Sequence, residues 1–517
     1  MSLVKKFATV GGATMASRIL GFVREMLIAA TLGAGPVADA FYAAFAFPNL
    51  FRRIFAERAF NSAFIPLFAK EMEAGGIRSS RQFAEEILAM LVAILLLLSA
   101  LAMLAMPWLV ATIIAPLFEE PGKIALTTTM TRIMFPYLLC MSLVAMLSGI
   151  MNSMRLYFLA AFVPVLLNVI LVGLILLAML LGSTPRAIGF FLSWGVFVSG
   201  FAQLAFLLFG TKRAGFSMRL KRPRMTPQVK KLLILMGPAV LTGGVIQINI
   251  QVGRIIASAQ DGAIALLNYA DRINQLPLGV IGIAIGVVLL PELSRALKAN
   301  DHDEVSSLQN RSLEFALLMT LPAAVGFMVI PEPIVALLYQ RGAFTAETTA
   351  MTAAALAAYA SGLPAYVLIK VFQPAYFARE DMRTPFYFSI VMMVVNVGVS
   401  LLLFPSMGHV GIAIATALSA WANFALLSST LWFRGEYRPH KRTLYRVMMI
   451  VISSIIMGTV LHFGHGWAAA EFSGAGYLAR AALVLGLIGA SAILYFAFII
   501  LSGVISRSEI RQMMRRG

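Results

Sequence analysis

Charged residues are scarce in this chain of 517 residues, since Asp, Glu, Lys and Arg together make up only 12% of it. Soluble domains carry about 25% charged residues, so the composition excludes a soluble globular enzyme. It also excludes a disordered chain, because 60% of the residues are hydrophobic. What remains is a protein that crosses a membrane several times.

Cysteine and histidine are also rare. The single cysteine, Cys140, cannot form an internal disulfide. The five histidines are scattered over loops and helix ends, with no acidic pair beside them. A membrane glycosyltransferase or phosphatase needs carboxylates or histidines grouped at the interface, often with a metal ion. We therefore predict that the protein is not an enzyme and that it holds no metal.

Three long runs contain no Asp, Glu, Lys or Arg: Ile87 to Phe118, Leu156 to Pro185 and Thr384 to Phe433. Each exceeds the roughly 20 apolar residues that one transmembrane helix requires. Barrel strands would alternate over segments of about ten residues, which these continuous runs do not. Because a helix satisfies its own backbone hydrogen bonds in hydrocarbon, the predicted fold class is an all-α integral membrane protein.

We predict about 14 transmembrane helices. Their approximate bounds are residues 3–33, 37–69, 83–114, 126–152, 157–183, 187–211, 229–258, 264–296, 312–331, 346–377, 385–405, 409–433, 443–463 and 478–504. Loops and the adjoining helix ends on the side of the termini carry 28 Lys and Arg, against three (Lys123, Arg186 and Arg341) in the loops on the opposite side. The positive-inside rule therefore places both termini in the cytoplasm.

The chain repeats itself at an offset of 228 residues. The matched pairs are Pro136 with Pro364, Arg155 with Arg383, and Asn168 with Asn396. Three pairs at one offset, in corresponding helices, favour duplication of a six-helix unit. An even number of helices makes the repeats parallel, and transporters built this way bind substrate between the halves. We predict N- and C-lobes around a central cavity, followed by two further helices.

The predicted domains follow from this repeat. They are an N-lobe at 1–211, a basic cytoplasmic linker at 212–228, a C-lobe at 229–434, and helices 13 and 14 with a basic tail at 435–517. The stretch from Lys212 to Lys231 holds eight basic residues. We interpret it as a solvated loop near anionic headgroups, and we do not expect nucleic acid to be the partner of the net charge of +18.

Several charged residues fall inside predicted spans of the two repeats. They are Arg18, Arg24 and Glu25 in helix 1, Asp39, Arg52, Arg53, Glu57 and Arg58 in helix 2, Arg254 in helix 7, and Asp271 and Arg272 in helix 8. A central arginine costs roughly 2.5 to 3.5 kcal/mol on insertion scales, so such residues face water or pair internally.

Four of these arginines, Arg18, Arg24, Arg52 and Arg272, have few local carboxylate partners. Helices 1, 2, 7 and 8 are equivalent pairs of the two repeats, so we expect their guanidinium groups to line the cleft and select an anion. Arginine's planar fork suits phosphate oxygens. The alternatives are snorkelling to the interface and structural ion pairs. Asp39, after a Gly-Pro turn, is either a helix cap or a gating residue.

Five motifs carry a resemblance to a known family. They are SRILGFVRE at Ser17–Glu25, GAG with DAF within Gly33–Phe41, PNLFRRIFAE at Pro48–Glu57, YADR at Tyr269–Arg272, and Leu290–Pro291. Together they resemble the MurJ (MviN) lipid II flippases of the multidrug/oligosaccharidyl-lipid/polysaccharide exporter superfamily. The resemblance covers essentially the whole chain.

The resemblance implies a flippase that moves undecaprenyl-pyrophosphate-linked peptidoglycan precursor across the bacterial cytoplasmic (inner) membrane by alternating access. It implies a monomer whose partners are lipid II and membrane lipid, with helices 13 and 14 forming a groove for the lipid tail. The alternative is a flippase for another polyprenyl-linked oligosaccharide. Arg18, Arg24, Arg52 and Arg272 match the family's cavity arginines and Asp39 its functional acid, while Glu57 and Asp271 are gating or structural.

Some family members bind sodium, and two departures here argue against that property. Asn396 and Thr416 match the sodium pattern, but Ser400 stands where a carboxylate is expected and Gly253 appears in place of another. We therefore expect at most a vestigial sodium site and no cofactor. Gln275 stands near a position where some relatives carry Glu, which removes a cavity acid.

Overall fold

The structure is a computed structural model that describes residues 3–120, 122–471 and 476–504. Within those ranges the chain is helical and contains no strand. The helices are α1 Leu3–Leu32, α2 Pro36–Phe51, α3 Asn61–Leu109, α4 Lys123–Met134, α5 Tyr137–Ser153, α6 Tyr157–Leu180, α7 Pro185–Arg213, α8 Pro227–Ala257, α9 Ala263–Lys298, α10 His302–Val329, α11 Pro331–Tyr339, α12 Ala346–Ser361, α13 Leu363–Phe377, α14 Arg383–Met407, α15 His409–Phe433, α16 Lys441–Glu471 and α17 Tyr477–Leu501. Two π-helical segments, Arg52–Phe60 and Val110–Ile114, flank α3.

Ten helices among the described residues are long and apolar enough to cross a membrane, or eleven if the bent pair Pro227–Pro238 and Gly243–Ala257 is one span. The prediction of an all-α membrane fold is thus confirmed, and the number 14 stays a prediction. Four predicted spans are not among the ten: 3–33, 37–69, 229–258, which corresponds to the bent pair, and 264–296. The helix α2 has only 16 residues, and α1 carries charged residues along much of its length.

The chain forms two compact units, one of Met1–Ala265 with Arg341–Phe344 and the other of Leu266–Gln340 with Thr345–Gly517. In the first unit α6 packs against α1 and α7, and α2 packs against α4. In the second unit α14 packs along α15, α10 against α13 and α16, and α16 against α17. The predicted lobe and linker boundaries stay predictions, and the basic tail at 505–517 lies outside the described residues.

Two predicted single helices are each broken in two. The span at 126–152 ends at Met134 and resumes at Tyr137, after Pro136. The span at 346–377 is interrupted at Gly362, two residues before Pro364. Proline has no N–H to donate and its ring clashes with the preceding turn, which explains a break at each site. Because the two prolines are the repeat-related pair, the breaks support the duplication.

The basic linker is anchored, not freely solvated as we expected from its composition. Phe216 is fully buried and packs edge-on against Phe68 of α3, with ring centroids 5.7 Å apart. Lys221 pairs with Glu85 of α3 at 2.7 Å. The linker's remaining charges, such as those of Arg222 and Arg224, are exposed. An apolar anchor followed by an ion pair therefore holds the connection against the first unit.

Candidate functional site

A buried polar cluster lies between α1 and α6 in the first unit. The guanidinium of Arg24 donates from Nη1 to Oδ1 of Asn168 at 2.8 Å and from Nη2 to Oε1 of Glu25 at 2.5 Å. Asn168 in turn donates from Nδ2 to the carbonyl oxygen of Ser17 at 2.9 Å. All three side chains of this group are buried, with Arg24 only 7% exposed. A charged group this deep persists because it is paired and hydrogen-bonded.

The other carboxylate oxygen of Glu25 is also occupied, since the hydroxyl of Tyr42 donates to Oε2 at 2.7 Å. We expected few local carboxylate partners for Arg24, and the structure pairs it with the adjacent Glu25. Adjacent residues on a helix do not normally face one another, so spacing gave no reason to pair them. Two hydrogen bonds use only part of the donor capacity of Arg24, because a guanidinium has five N–H groups.

The other two arginines of the first unit differ in their surroundings. The side chain of Arg18 is exposed and has no hydrogen-bond or ion-pair partner among the described residues. Arg52 begins the π-helical segment, and its Nε donates to Oδ1 of Asn49 at 3.0 Å. The role of Glu57 stays a prediction, because its side chain lies outside the described residues.

A second cluster surrounds Asp39, which lies in the first turn of α2 and is fully buried. Its Oδ2 accepts from Nζ of Lys123 at 2.9 Å and from the backbone N–H of Gly262 at 2.7 Å. Its Oδ1 accepts from the backbone N–H of Ala265 at 2.9 Å. The carboxylate therefore caps the first turn of α9, whose free N–H groups favour a negative charge. Asp39 caps this distant helix instead of its own.

Lys123 is the centre of this second cluster and was missed as a site residue by the sequence analysis. Its Nζ also contacts Oδ1 of Asp261 at 2.9 Å and lies 4.3 Å from the ring centroid of Phe118. The side chain of Lys123 is fully buried, whereas that of Asp261 is 73% exposed. One signal was available, because a lysine in the first turn of a helix opposes the helix dipole unless it has an acidic partner.

Close backbone contacts surround the Asp39–Lys123–Asp261 cluster. The N–H of Ala343 donates to the carbonyl oxygen of Ala30 at 2.8 Å. Gly262 has φ +77°, and a Cβ there would lie 2.5 Å from the carbonyl oxygen of Ala34. Only glycine fits this left-handed position so close to another backbone. The turn after α1 therefore contacts two other segments through its backbone, one at Ala343 and the other at Gly262.

In the second unit, Asp271 and Arg272 lie on α9 and both are half-buried. Nε2 of Gln275 donates to Oδ2 of Asp271, one helical turn away. Gln275 therefore supports Asp271 as a hydrogen-bond donor. The grouping of Arg272 with the arginines of the first unit stays a prediction.

The residues of the vestigial sodium pattern do lie together in the second unit. The hydroxyls of Ser400 and Thr416 approach Oδ1 of Asn396 at 3.4 Å and 3.5 Å. Asn396 is 6% exposed, as is its repeat partner Asn168. The three groups that could offer oxygen ligands to a cation, one amide and two hydroxyls, are all neutral. No group of three or more His, Cys, Asp or Glu that could hold a metal occurs among the residues that the structure describes.

Comparisons with known proteins agree in one direction. The family model described as lipid II flippase MurJ matches residues 28–482. A protein from Rhizobium meliloti named probable lipid II flippase MurJ is 50% identical, covering 100% of this chain and 97% of that protein.

Two solved structures share the fold. One titled lipid II flippase MurJ, inward closed conformation, has a TM-score of 0.75 at 24% identity, covering 95% of this chain and 99% of that one. An inward-facing MATE family transporter of the MOP superfamily has a TM-score of 0.68 at 14% identity, covering 86% and 98%. At these identities the two structures establish the fold alone.

Proposed function

The chain belongs to the lipid II flippase MurJ family, and we propose that it moves lipid II from the cytoplasmic to the periplasmic leaflet by alternating access. The observation that carries this proposal is the family match over residues 28–482, which includes the Asp39–Lys123–Asp261 cluster and begins three residues after Glu25 of the first cluster. The family makes it a multi-pass bacterial membrane protein. We further propose that it acts in the inner membrane as a monomer with both termini in the cytoplasm, and that it performs no catalysis.

In this proposal the arginines bind the diphosphate of the substrate. Arg24 is held in orientation by Asn168 and Glu25, and its remaining N–H groups are available to phosphate oxygens. Arg18, which is exposed and unpaired among the described residues, can reach an incoming anion without breaking an internal bond. We assign Arg52 and Arg272 to the same anion site, with the sugar and peptide headgroup in the polar cleft between the repeats.

We propose that the Asp39–Lys123–Asp261 cluster is a gate latch on the periplasmic side. Lys123 belongs to the loops that the positive-inside rule places outside. The latch supports a closed exit, because opening must separate Asp39 from Lys123 and from the first turn of α9. Glu57 and Asp271 remain assigned to gating or structural roles.

The membrane potential is the simplest driving force. With a negative interior, export of negative charge is downhill by about 2.3 kcal/mol per charge per 100 mV, so a diphosphate of roughly two negative charges gains about twice that. Sodium coupling is less well supported, because the donors at Asn396, Ser400 and Thr416 are neutral. Hard cations are usually held with help from carboxylates.

The test is translocation in proteoliposomes that contain fluorescent lipid II, with accessibility in the outer leaflet read by a membrane-impermeant quencher. Arg24→Gln is expected to lower the rate at least tenfold, whereas Arg186→Gln, which removes an exposed charge in the first turn of α7, leaves it unchanged. If the protein carried a different polyprenyl-linked oligosaccharide faster than lipid II, that result would contradict the proposal that lipid II is the substrate. Dependence on sodium but not on voltage would overturn the proposed drive.

A further inference from the structure

The second unit contains a cavity of about 620 Å³ that the transport proposal does not use. It lies among α10, α13, α15 and α16, and its lining is almost entirely apolar, with Leu317, Leu368, Phe372, Phe424 and Val447 as examples. Its volume falls within the range of roughly 300 to 1,000 Å³ that is typical of small-molecule sites. No residue of α17 lines it, so it is distinct from the tail groove expected between helices 13 and 14.

Two aromatic side chains with polar atoms mark one end of this cavity. Trp432 and Tyr437 line that end near the turn from α15 to α16, whereas Trp421 lines the cavity about three helical turns earlier in α15. Trp432 is 59% exposed. Tryptophan and tyrosine concentrate at membrane–water interfaces, so this end of the cavity corresponds to the headgroup level and the remainder to the acyl region.

Three cations at that end have no counter-charge. Arg438, Lys441 and Arg442 are exposed, and none has an ion-pair or hydrogen-bond partner for its side chain among the described residues. Arg438 and Arg442 adjoin cavity-lining residues in the chain, and Lys441 is two residues from Pro439 and from Thr443, which also line the cavity. They differ in this respect from the nearby cations of the second unit.

The nearby cations are neutralised within the protein. Their pairs are Arg434 with Asp381 at 2.9 Å, Arg379 with Glu436 at 3.3 Å, and Arg446 with Glu314 at 2.7 Å. The local carboxylates are therefore already used. The three cations at the cavity mouth form an excess of positive charge that an external anion can satisfy.

The start of α16 adds to the same field. Lys441 and Arg442 occupy its first turn, which contains no acidic residue. A helix N-terminus carries a partial positive charge and free N–H groups, so cations are disfavoured there and an anion is favoured. Two cations and a helix terminus thus reinforce one another at the mouth of an apolar cavity.

The walls near the mouth are held in place. Oε1 and Oε2 of Glu314 accept from Thr443 at 2.6 Å and from Arg446 at 2.7 Å, which joins α10 to α16. Asn310 accepts from the hydroxyl of Tyr437 at 3.3 Å and donates to the carbonyl oxygen of Arg438 at 3.3 Å. A ligand here meets a preformed site.

We propose that this cavity binds an anionic glycerophospholipid, with acyl chain in the apolar space and phosphate on Arg438, Lys441 and Arg442. Basic pockets between transmembrane helices on the cytoplasmic side bind such headgroups. The proposed orientation, with both termini in the cytoplasm, is needed only to assign this lipid to the cytoplasmic leaflet. The binding itself requires no transport.

The test uses two tryptophans of the cavity as reporters. With Trp108, Trp194 and Trp467 replaced by Phe, Trp421 and Trp432 remain, and their fluorescence is quenched by lipids with brominated acyl chains in nanodiscs. At equal mole fraction we expect brominated phosphatidylglycerol to associate at least about tenfold more tightly than brominated phosphatidylcholine, since each nearby cation contributes roughly a fivefold factor. Equal association of the two lipids would mean ordinary boundary lipid and would overturn the proposal.

A charge-matched pair of variants tests the cations. Replacing Arg438, Lys441 and Arg442 by Gln should abolish the preference for phosphatidylglycerol. Replacing Arg222 and Arg224 of the linker and Lys230 at the start of α8 by Gln removes the same charge from exposed positions and should leave the preference intact. Loss of preference in both variants, or in neither, would contradict a local site.

Two further measurements test the cavity and its occupant. Ser428→Phe fills the apolar space without removing a charge, so it should reduce quenching by both lipids if folding, measured by thermal unfolding, is unchanged. Quenching that persists in Ser428→Phe would refute insertion of the acyl chain.

Undecaprenyl diphosphate should not compete with the phospholipid, and full competition would show a substrate site instead. Failed lipid II transport with intact lipid preference would count against the proposed function alone.

Discussion

Removing the ammonium group of Lys123 is the sharpest test of the latch. Lys123→Met keeps the length of the side chain but leaves the buried carboxylate of Asp39 with only two backbone donors. Breaking a buried ion pair by removing one partner costs about 3 to 5 kcal/mol. Because two donors remain, we expect the lower end, about 3 kcal/mol, which shifts the closed–open equilibrium more than a hundredfold at 1.4 kcal/mol per tenfold.

The readout is exposure of Ala265, which is fully buried beside Asp39. The chain has one cysteine, so Cys140→Ala with Ala265→Cys provides a single reporter for a membrane-impermeant maleimide. Lys123→Met should accelerate labelling from the periplasmic side and lower transport. Lys298→Met, which removes an exposed lysine without a partner among the described residues, should do neither.

A double variant separates the ion pair from simple loss of packing. Asp39→Asn with Lys123→Met removes both charges and keeps similar volumes, so it should label more slowly than Lys123→Met alone. A double variant as open as the single one would show that the two side chains are not coupled. Unchanged labelling in Lys123→Met would refute the latch itself.

Three other outcomes follow from the structure. Asn168→Ala should lower the free energy of unfolding by about 1 to 3 kcal/mol, because the buried guanidinium of Arg24 loses one of its two acceptors, and an unchanged unfolding temperature would argue against that bond. Gly262→Ala places a Cβ 2.5 Å from the carbonyl oxygen of Ala34 at positive φ, so it should favour the open gate in the maleimide assay. Burial acts to raise the pKa of Asp381, but the backbone N–H of Thr384, in the first turn of α14, and the side chains of Arg434 and Thr384 outweigh it and lower the pKa to about 2. This stabilisation is present above the ordinary pKa near 4 and is lost towards pH 2, so Asp381→Asn should remove a pH-dependent part of stability of order 1 kcal/mol, reduced by solvent screening.

The all-α membrane fold and the family could be predicted from the sequence alone, and the sequence also favours a duplication. Hydropathy and helix length are local properties, and transfer to hydrocarbon leaves the backbone no other choice. The repeat-related residues were also readable, because Pro136 and Pro364 break their helices and Asn168 and Asn396 are equally buried. Helix breaks were harder to predict, since proline within an apolar run can either kink a helix or end it.

Only the tertiary structure decided which charges meet. Lys123 lies 84 residues from Asp39 and 138 from Asp261, so no spacing along a helix relates them. Arg24 and Glu25 are adjacent, and they pair because Asn168 and Tyr42, supplied by other helices, hold both side chains in place. Ion pairs depend on distances of a few ångströms between side chains, and those distances are set by packing of segments that composition and periodicity leave independent.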